Sequence, residues 1–230
     1  MKPTTSNVIR WAGLSAVAAG VIFAGIQPIH PPDFLPSVTT AAWAIIMPFK
    51  LAMSVLFLAG FAGLYARQVE ESGWLGLAGF LALSLSWALQ TAFVFAETFL
   101  LPVLATTAPQ FVESFLGIVN GVPGEMNIGV LSTVYTVVGL LYLLGGVLFG
   151  IATFRARVLP RWAAGLLAVS GPLAAVMTSL LSHPLDRLAA LPMGLAVIGL
   201  GAAVWADRRE PAAQPAPAAA SPQLREASAK

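Results

Sequence analysis

The sequence predicts an all-α fold, a polytopic bundle of six transmembrane helices with both termini on the cytoplasmic side. Three observations lead there. The 230-residue chain is 58% hydrophobic and only 10% charged, whereas a soluble domain carries about 25% charged residues. Its apolar residues fall into six runs, each close to the ~20 residues a helix needs to cross hydrocarbon. Of its twelve Lys and Arg residues, all but Lys50 and Arg187 lie on one alternate set of connections and ends.

The spans are expected at about 8–29, 41–66, 74–101, 128–154, 162–181 and 188–206. Each must be helical, because an isolated strand would leave its backbone polar groups unpaired in lipid. The first span follows a weakly basic start (Lys2, Arg10) but has no small-residue cleavage site after it, so it reads as an uncleaved anchor. Trp11, Trp74 and Trp162 open the first, third and fifth spans, as aromatic residues do at a membrane interface. Basic residues mark the start, the 67–73 and 155–161 connections, and the tail. The opposite connections carry Asp33, Glu113, Glu125 and Asp186 against Arg187 alone. That asymmetry sets the N-in, C-in orientation.

Residues 1–209 therefore form one membrane domain, and 210–230 a disordered, Ala/Pro-rich cytoplasmic tail that cannot bury enough apolar surface to offset its ordering entropy. The long external connection between the third and fourth spans holds an interfacial helix over 109–119. There Phe111, Val112, Phe115, Leu116 and Val119 share one face. Two readings stand for it, a cap resting on lipid or a lid over a cavity. Asn120-Gly121 and Pro123-Gly124 then turn the chain.

The spans also echo one another. Arg10-Trp11-Ala12 and Arg161-Trp162-Ala163 begin the first and fifth, which exit into His30-Pro31-Pro32-Asp33 and His183-Pro184-Leu185-Asp186. A parallel repeat of helical hairpins, helices 1–2 and 5–6, would produce this. So would convergent boundary chemistry, in which proline stops a helix and Asp accepts a hydrogen bond in the turn.

Composition excludes several functions. With no cysteine, disulfides, thiolate metal sites and thiol nucleophiles are absent. The sequence pI is near 9.3, yet the basic residues flank apolar runs and form no patch, so no nucleic-acid partner is expected. No phosphate-binding loop or cofactor motif is present, no catalytic residue or metal site is assigned, and the chain leans away from enzymes. The two paired exits, His30 with Asp33 and His183 with Asp186, are turn pairs or, less simply, external metal ligands. A membrane enzyme built on them is the third functional reading.

Charge within a span is costly and marks function by default. Lys50 lies about 14 Å below the outer end of the second span, and Glu97 about 6 Å below that of the third, by helical rise. A lysine stem can climb most of the difference, so Lys50 is expected to pair with Glu97. Gln90 lies on the Glu97 face, seven residues earlier. Tyr135, with Ser132, Thr133 and Thr136, lies at the same level on the fourth span, and Thr178 and Ser179 on the fifth. Together Lys50, Gln90, Glu97 and Tyr135 suggest a ligand-binding pocket open to the outside. Pro48 should bend the second helix and free a carbonyl beside it. Gly145, Gly146 and Gly150 read as a close-packing face.

The stretch Phe154-Arg155-Ala156-Arg157-Val158-Leu159-Pro160-Arg161-Trp162-Ala163 resembles a segment recurring in bacterial multi-pass membrane proteins with no assigned activity. The resemblance covers one loop and two helix ends and implies a six-helix bacterial membrane protein; the Ala-, Leu- and Arg-rich usage looks like that of a high-GC bacterium, which places it in the inner (plasma) membrane. The functional expectation is binding or transport of a small solute. The alternative is a structural or regulatory membrane subunit whose polar groups lock helix packing. The expected partners are the lipid bilayer, a small solute, and either a second copy or a partner subunit.

Overall fold

The computed structural model describes residues 4–122, 124–181 and 185–207. The predicted tail and His183 lie outside them. Among the described residues the fold is all-α, without strands. Seven helices follow in order: α1 (Thr5–Gly25), α2 (Ala41–Ala66), α3 (Val69–Thr107), α4 (Pro109–Asn120), α5 (Leu131–Ala156), α6 (Arg161–Leu180) and α7 (Leu191–Ala206). All except α4 are long and apolar enough to cross a membrane, the first counted to Ile29 and the last from the 3-10 turn at Leu185.

Local chemistry sets the boundaries. Thr4 and Thr40 cap α1 and α2, their hydroxyls accepting from the backbone N–H groups of Asn7 and Trp43. Gly121, at φ 66°, ends α4 in the left-handed conformation that glycine tolerates best. At Gly73 (φ 55°, ψ −158°) the backbone leaves helical geometry, so the regular helix resumes at Trp74, where the third span was expected to start. At its other end α3 runs past the expected 101, through a π-turn at Ala96–Leu100, to Thr107.

The six long helices form a ring. Helix α1 packs on α2 and α7, α3 on α2 and α5, and α6 on α5 and α7. Hairpins thus follow one another around one axis, the placement a parallel repeat would need. The α1–α7 contact is backbone to backbone: a Cβ added at Gly20 would sit 2.6 Å from the Gly194 carbonyl oxygen, and one at Gly201 2.6 Å from that of Gly13. The expected small-residue face on α5 serves two neighbours, Gly145 against Leu83 of α3 and Gly150 against Ala168 of α6. Aromatic rings fill the middle of the ring. Phe57 stacks on Trp87 at 4.0 Å between centroids, and Phe23, Phe61 and Phe149 continue the cluster.

The outer surface of the long helices is apolar, with Val21, Ile45, Val55, Leu85, Leu140 and Leu195 exposed. At one end Arg67 clasps Asp207, Nε to Oδ2 at 3.0 Å, and Arg10 donates to the Trp205 carbonyl. Trp11, Trp74 and Trp162 are exposed at that same end. Helix α4 crosses the other end. Its apolar face turns inward, with Val112, Phe115 and Leu116 buried and Phe115 against Phe93 of α3. Helix α4 thus lies as a lid over this end of the bundle.

Candidate functional site

Beneath α4 lies a cavity of about 300 Å³ whose wall draws on α1, the connection after it, α2, α3, α4 through Val119, α5 and the 3-10 turn before α7. Its polar rim is His30, Asp33, Lys50, Gln90, Tyr135 and Arg187, and its floor includes Phe23, Trp87 and Tyr142. The floor belongs to the aromatic cluster, so the cavity is closed towards the basic end of the bundle.

Lys50 enters from α2, two residues after Pro48, through which α2 runs as one helix. Its Nζ lies 2.6 Å from Glu97 Oε2, the pairing expected from their depths. Glu97 is 1% exposed and Lys50 14%. The carboxylate sits behind the ammonium and does not line the cavity, which meets Lys50 and Gln90.

Glu97 owes its position to Pro102. Proline has no N–H to donate, and its ring crowds the carbonyl four residues earlier. The helix widens there, and the Leu101 N–H reaches back five residues to the Ala96 carbonyl. Such a π-turn frees backbone groups, and Trp43 uses one, its indole Nε1–H donating to the Glu97 carbonyl at 2.9 Å. Thr98 ties the same turn to α2, its hydroxyl donating to the Met47 carbonyl at 3.3 Å.

The first exit meets the residue that follows the second at the rim. Asp33 accepts from Arg187 Nη2 at 3.1 Å, linking the first external connection to the last. Asn120, at the end of the lid, donates to the Asp33 carbonyl at 2.6 Å. One residue therefore fastens three segments. His30 donates from Nδ1 to the Pro31 carbonyl at 2.7 Å, which leaves Nε2 as an acceptor. Burial first, then the nearby Lys50 charge, lowers its pKa from 6.5 to about 4, so the ring is neutral at pH 7. His30 and Asp33 thus have separate partners rather than a shared one. Asp186 lies half-buried in the 3-10 turn, and among the described residues no three His, Asp or Glu side chains gather as metal ligands would.

The hydroxyl cluster separates into two kinds. Tyr135 lines the cavity. Ser132, Thr133, Thr136, Thr178 and Ser179 are exposed, and Thr136, Thr178 and Ser179 bond carbonyls of their own helices. Sequence reasoning missed the roles of Arg187, Trp43 and Trp87. Arg187 carried a signal, as the lone cation among acidic external connections. The two tryptophans carried none beyond their type.

The chain matches no known protein family, no curated protein and no solved structure closely enough to place it beside them.

Proposed function

We propose that this chain is an integral protein of the bacterial inner membrane, crossing it six times with both termini in the cytoplasm, and that it binds or transports a small polar solute through the rim-lined cavity, which faces outward. The orientation rests on the cationic end at Arg10, Arg67, Arg155, Arg157 and Arg161, since basic connections stay cytoplasmic. The single observation that carries the functional part is the cavity itself. Side chains from separate helices converge on about 300 Å³ of space, the lower range of natural ligand sites, above a sealed aromatic floor.

A second reading has its own support. Both rim cations already have partners, Lys50 with Glu97 and Arg187 with Asp33. Paired charges of this kind fix helix register, as a structural or regulatory subunit would require.

The absence of cysteine makes one experiment decisive. Gln90→Cys and Lys50→Cys variants in intact cells should react with a membrane-impermeant maleimide. Reaction only after denaturation would end the reading of a polar solute entering from the aqueous side. A C-terminal tag digested by protease added outside intact cells would overturn the orientation, and the outward-facing cavity with it.

A further inference from the structure

The ring of helices is not closed along its whole length. Helices α5 and α6 are zipped together from Gly150 against Ala168, through Gly146 against the Leu167 carbonyl, to Leu143 against Gly171. Pro172 follows. Beyond it Leu173, Ala175, Val176, Thr178, Ser179 and Leu180 are all exposed. At about 100° per residue these positions point around most of the helix circumference, and only Ala174 and Met177 are half-buried. The facing stretch of α5 matches: Thr136, Val137, Gly139 and Leu140 are exposed.

The cavity is incomplete on the same side. Among the described residues none of α6 or α7 lines it, and Arg187 alone contributes from that quarter. Gly139 of α5 both lines the cavity and is exposed on this side, and a Cβ there would meet nothing within 4 Å. The seam and the cavity wall open at one level, and the gap is bordered mainly by apolar side chains, Val137, Leu140, Leu173 and Val176, with Thr136, Thr178 and Ser179 among them.

The interior has two chemistries. At the rim, hydrogen-bond donors are in excess. Lys50 has given one hydrogen bond of its three to Glu97, and among the described residues the buried Arg187 Nε–H, and the Trp87 Nε1–H on the floor below it, have no partner. On the acceptor side stand His30 Nε2 and Asp33 Oδ1, the latter buried without a partner among the described residues, and the Asp33 charge is already engaged by Arg187. Deeper in, Phe23, Met53, Val138 and Tyr142 present apolar wall.

We propose that the cavity opens sideways into the outer half of the bilayer between α5 and α6, and that its ligand is a single-chain carboxylic amphiphile, its carboxylate against Lys50 and Arg187 and its tail leaving past Gly139. This rests on the cavity being a ligand site, and names both the ligand and its route. A carboxylate matches the surplus of donors, and a tail matches a gap bounded by hydrocarbon. The volume holds the head and first carbons only, so the remainder stays in lipid.

The test uses the full chain in lipid nanodiscs and a dibrominated fatty acid, which quenches tryptophan on contact. Saturable quenching is expected, and Trp87→Phe removes most of it. The brominated methyl ester, with no charged head, should bind at least about tenfold more weakly, and Lys50→Met should weaken the acid similarly. Gly139→Leu, which places a side chain in the gap without a clash, should slow binding about tenfold or more. Quenching that never saturates, or is equal for acid and ester in the native chain, overturns the ligand. A normal rate in Gly139→Leu overturns the route. If Gln90→Cys reacts from the aqueous side while the acid does not bind, the solute reading survives and the amphiphile falls. If the acid binds but Gln90→Cys is inert, the lateral route stands without an aqueous opening.

Discussion

Removing Lys50 should harm the protein far more than removing Lys50 and Glu97 together, once each loss is set against its single-mutant cost. In Lys50→Met the Glu97 carboxylate, 1% exposed, loses its only cationic contact among the described residues. Breaking a buried pair from one side costs about 3–5 kcal/mol. In Glu97→Gln the stranded group is Lys50, which is 14% exposed and borders the cavity, so its ammonium can turn to water. That loss is about 1–3 kcal/mol, the scale of a hydrogen bond to a charged group. Independent effects would then total about 4–8 kcal/mol. The double variant holds two neutral side chains, and its one burden is a buried amide short of a partner, about 1–3 kcal/mol. The coupling should therefore be at least ~1 kcal/mol. Reversible unfolding of all four proteins by SDS in mixed micelles, followed by tryptophan fluorescence, measures it. A coupling under ~0.5 kcal/mol, the usual additivity error, would refute the pair as an energetic unit whatever its geometry.

Four further outcomes follow from other positions. Gly20→Val should destabilise by about 1–3 kcal/mol or more, as overpacking does, because its Cβ would lie 2.6 Å from the Gly194 carbonyl oxygen. Gly139→Leu, with no atom near its Cβ, should be neutral in the same SDS titration. His30 is neutral when folded down to about pH 4 but protonates near 6.5 when unfolded. The unfolded chain therefore binds the extra proton between those values, and stability should fall as pH drops from 6.5 towards 4. Melting curves should show wild type losing more across that window than His30→Gln, and parallel curves would exclude the effect. Asn120→Ala removes the lid's hydrogen bond to the Asp33 carbonyl at a global cost of about 1 kcal/mol. It should nevertheless speed proteolysis within 109–122, and an unchanged cleavage rate would show that apolar packing alone holds α4.

How legible all this was in the sequence depends on the range of the physics involved. The long helices could be read because run length and composition are summed over some twenty residues, and few errors survive the sum. The Lys50–Glu97 contact could be read for a related reason: two charges in apolar runs have few partners, and depth by helical rise selects one. The end of α3 could not be read this way. Pro102 was visible, but a proline near a helix end can terminate it or only widen it, and the choice depended on Trp43 and Thr98 contacts across the helix pair. The amphipathic face of α4 was clear, and its orientation was not, because the pattern that lies on lipid also lies on a bundle.

The same limit explains why the side opening was invisible and why it matters. Exposed Leu173, Val176 and Leu180 are ordinary in a sequence that is apolar throughout. They become informative only when the zipped α5–α6 contact stops at Leu143 and Gly171. Helices in a bilayer gain little from burying apolar side chains against one another, since lipid is as apolar as they are. What holds such helices together is close approach, here the run of Gly146, Gly150 and Gly171. Where the glycines end, nothing favours contact over lipid, so the distribution of small residues along a seam sets how far it closes. If that reasoning holds, moving the small-residue pattern outward should extend the seam. A Val137→Gly, Leu140→Ala pair on α5 should bring the outer half of α6 inward, seen as a shorter distance between spin labels at Thr136 and Thr178. Labels that stay as far apart as in the parent would show that something other than close packing, such as the following turn, holds the gap open.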